Sequence, residues 1–287
     1  MGLSLGTAQW GADYGLTNSV GFLDDEVIAA IVEEARALGI ASVDTHRTSN
    51  PAQGYGAAQS RLRPWAQELA VTTKVIAGQS ADLPIREQLE ASLLELGLNS
   101  VGTVLVHDWA SLDEVQSEVA ARELAELKAT GLTSRIGISA YDSEDLVRSQ
   151  QHFAVLDVVQ VPMSVLDQRL LRLELMTQLH SGGTRVQLRS VFLQGLLLAP
   201  DHESALARHP DVLRFHHWCA SAGLSPLEAC LAFVHQIPWA DEVVVGVTSA
   251  TELAEIGRAW HEASTLRQWE ELATDDTDLI DPRRWNR

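Results

Sequence analysis

The sequence has little cysteine, no long apolar run and far fewer basic than acidic residues. Its 287 residues include only Cys219 and Cys230, too few thiols for a disulfide scaffold or a zinc site. No apolar stretch approaches the roughly 18 residues of a membrane span, and the first residues lack the pattern of a secretion signal. We therefore expect a cytoplasmic protein whose two cysteines are small buried residues in a reducing compartment.

The charge balance excludes two classes of partner. There are 21 Lys and Arg residues against 39 Asp and Glu residues, so the formal net charge is −18. Proteins bind nucleic acid and anionic lipid surfaces largely through basic residues, so we expect neither a nucleic-acid nor a membrane partner. The content of 46% hydrophobic and 21% charged residues is that of a globular chain, which excludes a disordered one.

Eight short apolar or β-branched segments alternate with longer segments of helical periodicity. The predicted strands cover residues 3–8, 41–45, 70–75, 101–107, 135–140, 157–162, 185–191 and 242–247. Such alternation predicts a parallel sheet with right-handed crossovers. Eight strands closing on themselves form an α/β fold of the TIM-barrel type, (β/α)8, and residues 1–287 are about the length of one such domain.

An open, doubly wound sheet is the alternative architecture. It usually carries a Gly-x-Gly-x-x-Gly turn after its first strand, and the segment from Gly6 to Gly11 lacks that spacing. Three helix starts show a capping-box pattern, in which a serine precedes a glutamate by three residues. These predicted capping boxes pair Ser111 with Glu114, Ser225 with Glu228 and Ser249 with Glu252.

Three chemically active side chains follow successive predicted strands. Asp44, Lys74 and His107 fall at the carboxyl ends of the second, third and fourth strands. Catalytic residues of barrel enzymes lie at that end. Packing alone does not favour three such polar groups, a carboxylate, an ammonium and an imidazole, on one rim. Their presence therefore predicts an active site there.

The sequence resembles the aldo-keto reductases, in particular a bacterial branch. The resemblance is carried in order by segments 5–9, 14–18, 43–45, 55–56, 73–75, 105–108, 136–139, 160–162, 166–169, 189–195 and 244–247. It implies reduction of an aldehyde or ketone, or the reverse alcohol oxidation, with a nicotinamide cofactor and no metal. The partner it implies is a small carbonyl or alcohol substrate.

The resemblance also implies a catalytic tetrad of Asp44, Tyr55, Lys74 and His107. A tyrosine ordinarily has a pKa of about 10. A nearby lysine ammonium lowers that pKa, and a carboxylate would hold the lysine in place. The histidine would orient the carbonyl group by a hydrogen bond.

Residues for the cofactor and the substrate follow from the same resemblance. The implied cofactor-binding residues are Gly6, Thr7, Ala8, Ser139, Gln160, Arg189, Ser190, Phe192, Gln194, Gly195, Gly246, Val247, Thr248, Ser249 and Glu252. Arg189 stands where many relatives have an aromatic residue that stacks on the nicotinamide, and a planar guanidinium can also stack. Trp10, Tyr14 and Trp109 are expected to line the mouth of the barrel as substrate-binding residues.

Two departures from the family pattern leave alternatives open. Relatives usually place the tyrosine five residues after the aspartate, whereas here residues 46–54 intervene before Tyr55. If this insertion displaces Tyr55, then His46, Arg47 or Ser49 would face the substrate. The protein would then be a non-redox enzyme, such as a dehydratase or lyase, or a cofactor-sensing binding protein.

The second departure concerns the choice of cofactor. Glu252 occupies a helix position where many relatives carry Arg or Gln near the 2′-phosphate of NADP(H). A carboxylate would repel that phosphate and suit the 2′-hydroxyl of NAD(H). Alternatively, Glu252 only completes the capping box with Ser249. NADP(H) remains the expected cofactor on family grounds, with NAD(H) as the alternative.

Overall fold

The strands of the protein form a closed barrel in chain order. The computed structural model describes residues 1–47, 56–199, 203–263 and 268–285. The eight parallel strands pair sequentially, and the first closes on the last. They are β1 (Gly2–Gly6), β2 (Ser42–Asp44), β3 (Ala70–Val75), β4 (Val101–Val106), β5 (Thr133–Ser139), β6 (Val158–Pro162), β7 (Arg185–Arg189) and β8 (Glu242–Gly246). The predicted TIM barrel is confirmed, and the open-sheet alternative is wrong.

The strands are connected by helices, which contact their neighbours around the barrel. The helices are α1 (Ala8–Gly11), α2 (Asp25–Ala37), α3 (Ala58–Leu62), α4 (Ile85–Leu96), α5 (Glu114–Ala129), α6 (Ser143–His152), α7 (Glu174–Ser181), α8 (Pro210–Ala222), α9 (Pro226–His235), α10 (Ala250–His261) and α11 (Thr277–Ile280). Helix α10 packs on α2 and α9, and α4 packs on α3 and α5. None of the helices in the described ranges is long and apolar enough to cross a bilayer.

One face of each strand is apolar and packs beneath the helices. Successive side chains of a strand point to opposite faces. Val104, Ile136, Val159 and Leu188 are almost wholly buried members of one continuous hydrophobic core that includes the helix residues. This outer face of the barrel wall therefore supplies much of the apolar burial that stabilises the fold.

The opposite, inner face of the barrel wall is polar and hydrogen-bonded. Gln160 of β6 donates from Nε2 to Asp44 Oδ2 of β2 at 2.7 Å, and to Gln187 Oε1 at 3.2 Å. Gln187 donates to Glu242 Oε2 at 2.6 Å, and Ser42 Oγ donates to Glu242 Oε1 at 2.5 Å. Because β2 does not neighbour β6 or β8, the Gln160–Asp44 and Ser42–Glu242 bonds cross the barrel interior, while the two bonds of Gln187 join neighbouring strands. They satisfy polar groups that would be costly to bury unpaired.

The predicted capping boxes have three different outcomes. Ser225 and Glu228 form a complete box at α9, as predicted. Ser249 accepts a hydrogen bond from Glu252 N, but the Glu252 side chain reaches back to Thr248 instead of Ser249. The prediction for Ser111 is wrong. Its hydroxyl donates to the backbone oxygen of Asp108 within a short turn, while Asp113 and Gln116 form the box at α5.

Both cysteines are free and buried, as expected. Burial raises the pKa of the Cys219 thiol to about 12 and that of Cys230 well above its usual value. Thiolates are the reactive form of cysteine, so both side chains act as small apolar residues in the α8–α9 packing.

Candidate active site

The carboxyl ends of β2 and β3 hold a buried ion pair. Lys74 Nζ lies 2.5 Å from Asp44 Oδ1, and the two residues are only 2% and 3% exposed. Burial lowers the pKa of Lys74, the charge of Asp44 and the hydrogen bond to it counteract that effect, and the positive charge of Arg189 lowers the pKa further. The second carboxylate oxygen of Asp44 accepts from Gln160. The inner-face network therefore orients Asp44, which in turn holds the lysine.

His107 follows β4 directly and lies on the same rim. Its ring is in edge contact with the ring of His46, with centroids 4.5 Å apart. Burial is the main cause that lowers the pKa of His107 well below 6.5, and the positive charges of His46, when it is protonated, of Lys74 and of Arg189 lower that pKa further. Burial and the Lys74 charge lower the pKa of His46 to about 3. Both imidazoles are therefore neutral at physiological pH.

The segment that follows β2 contains the residues inserted before Tyr55. His46 is wholly buried beside His107, whereas Arg47 turns towards α4, where its Nε lies 2.8 Å from Glu95 Oε1. Ser49 and Tyr55 lie outside the described residues. Of the two alternatives that the structure describes, His46 lies at the catalytic rim and Arg47 does not.

The chain immediately after position 55 is fixed near this rim. Gly56 has a φ of 49°, and a Cβ there would lie 2.0 Å from Gly11 O, so only glycine fits. Gln59 of α3 donates to Thr73 Oγ1 of β3 at 2.6 Å. Gly56 therefore contacts the segment after β1, and the helix that follows is bonded to the strand carrying Lys74.

The segments after β1 and β7 meet at the same end of the barrel. Leu16 N donates to Gln194 O at 3.0 Å, and Gln194 Nε2 donates to Tyr14 Oη at 3.3 Å. A Cβ on Gly195 would lie 1.9 Å from Thr17 Oγ1. Three non-glycine residues of the β7 segment have a positive φ, namely Ser190, Leu193 and Gln194. Segments 14–18 and 189–195, which both carry the family resemblance, thus pack against each other. We call the surface that they form the cradle.

The cradle continues to the end of β8 and has a polar atom suited to a ligand. A Cβ on Gly246 would lie 2.6 Å from Gln9 Oε1. That oxygen is buried and has no hydrogen-bond partner among the described residues. Ser139 is paired with Gln160 in the β5–β6 register, both side chains being buried. An unpaired acceptor and buried amide and hydroxyl groups fit a polar, amide-bearing ring such as a nicotinamide.

At the start of α10, the Glu252 carboxylate already occupies hydrogen-bond donors that a bound anion would use. Glu252 Oε2 accepts from Thr248 N at 2.7 Å, and Glu252 Oε1 accepts from Thr248 Oγ1 at 2.9 Å. Ser249 Oγ is taken by Glu252 N at 3.1 Å. The α10 terminus is thus less open to a phosphate than a helix start without a local acid would be.

Two tryptophans expected at the mouth lie elsewhere. Trp10 and Trp109 are wholly buried in the hydrophobic core, so neither rims an open mouth. Each belongs to a single helical turn after its strand, and Trp109 Nε1 donates to Asp145 O at 3.1 Å while its ring packs on Phe153. Of the three expected substrate residues, only Tyr14 is half-buried.

The remaining predicted cofactor residues divide between the rim and the core. Gly6 ends β1, Thr7 and Ala8 follow it, and Thr7 Oγ1 donates to Asp44 O at 3.2 Å. Phe192 and Val247 have their side chains in the hydrophobic core. Arg189 and Ser190 are half-buried at the end of β7.

The C-terminal segment brings an arginine that the sequence interpretation missed. Arg283 Cζ lies 3.3 Å from the ring centroid of Tyr141, which follows β5, and Arg189 Cζ lies 4.1 Å from the same centroid. Arg283 is also paired with Asp281, with Nη2 2.6 Å from Oδ2. Nothing local in the sequence indicates these contacts, because they join distant segments.

The chain belongs to the aldo/keto reductase family. The family model matches residues 2–274, which is nearly the whole sequence. The resemblance inferred from the separate motifs is thereby confirmed.

The individual relatives are more distant. Methylglyoxal reductase DkgB of Escherichia coli O157:H7 is 31% identical over 119 residues, and DkgB of Yersinia pestis is 32% identical over 120 residues. Each match covers 42% of this chain and 45% of the relative, so the chain spans less than half the length of these curated relatives.

Solved structures share the fold over almost the full length. The aldo-keto reductase AKR11C1 of Bacillus halodurans, in its holo form, has a TM-score of 0.73 at 19% identity and covers 99% of this chain and 95% of its own. The PA4992 protein of Pseudomonas aeruginosa has a TM-score of 0.68 at 21% identity over 91% of this chain and 90% of its own.

Proposed function

We propose that this protein is an NAD(P)H-dependent reductase of a small aldehyde or ketone, or catalyses the reverse oxidation of the alcohol. The observation that carries this proposal is the buried Lys74–Asp44 pair beside the neutral His107, at the carboxyl end of a family barrel. The partner is a small carbonyl or alcohol compound, and the reaction takes place in the cytoplasm.

The catalytic roles follow from the charges at the rim. The nicotinamide supplies the hydride when bound. Tyr55 gives a proton to the carbonyl oxygen, and the Lys74 ammonium makes that transfer easier because it favours the phenolate. Neutral His107 donates a hydrogen bond that orients the carbonyl group and stabilises the developing oxyanion. The fixed position of Gly56 beside Gly11 supports the inclusion of Tyr55.

The cofactor would bind along the cradle between β1, β7 and β8. Ser139, Gln160 and Gln9 are suited to its carboxamide end. The backbone of 190–195 and Gly246 would hold its pyrophosphate, and the start of α10 would lie beside the adenosine ribose. Because Glu252 already accepts two hydrogen bonds from Thr248, we infer that it weakens binding of the NADP(H) 2′-phosphate. Tyr14 is the residue best exposed to contact the substrate.

The test is a carbonyl-dependent transfer of hydrogen from the cofactor to the product. Methylglyoxal is the first substrate to try, since DkgB is a methylglyoxal reductase. NADPH or NADH deuterated at the hydride position should pass its label to the carbonyl carbon, with one nucleotide oxidised per carbonyl reduced.

Other outcomes point to other functions. Consumption of a carbonyl compound without oxidation of the nucleotide would indicate a dehydratase or lyase. Tight nucleotide binding without turnover on a panel of aldehydes and ketones would indicate a cofactor-sensing protein. Either result would contradict the proposal.

A further inference from the structure

Arg189 is a cation held at the catalytic rim by neutral groups alone. It is the last residue of β7 and lies on the same face as Gln187, which points into the barrel. Its Nη2 donates to Ala140 O at 3.2 Å, its Nη1 donates to Ser190 Oγ at 3.3 Å, and its guanidinium contacts the Tyr141 ring. These contacts fix the group without cancelling its charge.

Two other cations near this rim have acidic partners. Asp44 neutralises Lys74, and Asp281 neutralises Arg283. His46 and His107 are uncharged at neutral pH. Among the residues that the structure describes, no carboxylate lies within ion-pair distance of Arg189. Of these three arginine and lysine cations, Arg189 is therefore the one without an acidic partner, in a protein whose formal net charge is −18.

This charge acts at the place where the chemistry is proposed. The positive charge of Arg189 is one of the causes that lower the pKa of both Lys74 and His107, so its field reaches both side chains. A half-buried, uncompensated cation costs free energy, and its field is available to a bound anion. The planar guanidinium has further N–H groups and matches the geometry of a carboxylate.

We propose that the substrate carries a carboxylate group near its carbonyl, and that Arg189 binds this carboxylate while His107 orients the carbonyl. This inference rests on the proposed function and narrows it to oxo acids and carboxylated aldehydes, or the matching hydroxy acids. Without such a cation, the acidic surface of the protein would repel an anionic substrate.

A matched pair of aldehydes tests the charge preference. The pair is para-carboxybenzaldehyde and para-formylbenzamide, which have nearly the same size and differ in charge. We expect kcat/KM for the carboxylate to exceed that for the amide by about tenfold or more, and Arg189→Met to reduce the ratio by about 10- to 100-fold. Because both aldehydes use the same cofactor, a change in cofactor affinity cancels from the ratio.

Two variants control for the charge itself. Arg189→Lys keeps the positive charge at the rim and should keep most of the preference. Arg185→Met removes the same charge from the exposed opposite end of β7 and should leave the ratio unchanged. A wild-type protein with no preference, or an Arg189→Met variant with the wild-type ratio, would overturn the proposal.

A binding measurement separates this inference from the proposed function. Benzoate and benzamide are titrated into the NADPH-bound protein, with tryptophan fluorescence as the readout. Benzoate should bind about tenfold more tightly in the wild type, and this advantage should disappear in Arg189→Met. If that occurs while no carbonyl is reduced, the reductase proposal fails and this inference stands. Equal affinities, or a loss of NADPH binding in Arg189→Met with the aldehyde ratio unchanged, would mean that Arg189 does not select a substrate carboxylate.

Discussion

The same strands form both faces of the barrel wall, but the two faces have different functions. The outer face buries Val104, Ile136 and Leu188 under the helices. The inner face carries Asp44, Lys74 and Gln160 in a hydrogen-bonded network whose upper end is the candidate active site. Stability thus depends mainly on the outer face, and chemistry on the inner face. Substitutions on the two faces should separate these properties.

Lys74→Met should have the largest effect. Loss of the ammonium should reduce turnover by about 10²- to 10⁴-fold, because the tyrosine loses the charge that favours proton transfer. It should also lower the free energy of unfolding by about 3–5 kcal/mol, because Asp44 is left buried without its partner. Turnover and urea unfolding measure the two effects.

The double variant Asp44→Asn with Lys74→Met is the control for this experiment. With both charges gone, most of the lost stability should return while turnover stays low. Recovery of turnover together with stability would show that the pair is only structural.

Leu188→Ala tests the outer face of β7, one residue away from both Gln187 and Arg189. Leu188 is wholly buried, so a cavity should lower the free energy of unfolding by about 2–5 kcal/mol. At a temperature where the variant is folded, its kcat/KM should stay within about threefold of the wild type. A loss of turnover as large as that of Lys74→Met would break the proposed separation of the two faces.

The buried histidines predict a pH dependence of stability. Above pH 6.5 His46 is neutral in the folded and in the unfolded protein. At lower pH the His46 side chain is protonated in the unfolded chain, but in the folded protein it stays neutral down to about pH 3. Stability therefore falls as the pH falls through this range, and His46 contributes a slope of about 1.4 kcal/mol per pH unit.

His46→Gln should remove that slope, and unfolding measured between pH 6 and pH 4 checks it. The matched control is His217→Gln on the exposed side of α8, a side chain that is in water in both states. If both variants give the wild-type slope, His46 is not the buried neutral group described here.

The smallest effect is expected at α10, away from both faces of the wall. Glu252→Gln removes the negative charge bonded to Thr248 and should improve NADPH affinity by about tenfold, while NADH affinity changes by less than about twofold. Fluorescence titrations with the two nucleotides measure both values. An equal change for NADPH and NADH would show that Glu252 does not face the adenosine ribose.

The sequence pattern was sufficient for the barrel and for placing Asp44 and Lys74 on one rim, because both depend on local patterns and on topology, while their pairing was implied by the family resemblance. Each strand is an apolar segment ended by a turn, and closure brings Asp44 and Lys74 to one rim. The bond of Ser42 to Glu242 could not be predicted, because it crosses the barrel and depends on its final register. The alternation of Val186, Gln187 and Leu188 was the signal that could have revealed the polar inner face.

Other differences between the sequence-based predictions and the structure also have specific causes. Ser111 has the spacing of a capping box, but the turn at Asp108 uses its hydroxyl first. Trp10 and Trp109 follow strands, but a single helical turn carries each ring into the core. The contact of Arg283 with Tyr141 joins the C-terminal segment to the end of β5, and no local pattern marks it.

The most direct test of the account is Tyr55→Phe, which removes one hydroxyl from the proposed proton donor. With methylglyoxal, or the better substrate found by the aldehyde series, turnover should fall by at least about a hundredfold. The dissociation constant of NADPH, measured by tryptophan fluorescence, should stay within about twofold of the wild type, because the phenyl ring is retained. Unchanged turnover in Tyr55→Phe would contradict the assignment of this rim as a tyrosine-dependent carbonyl reductase site.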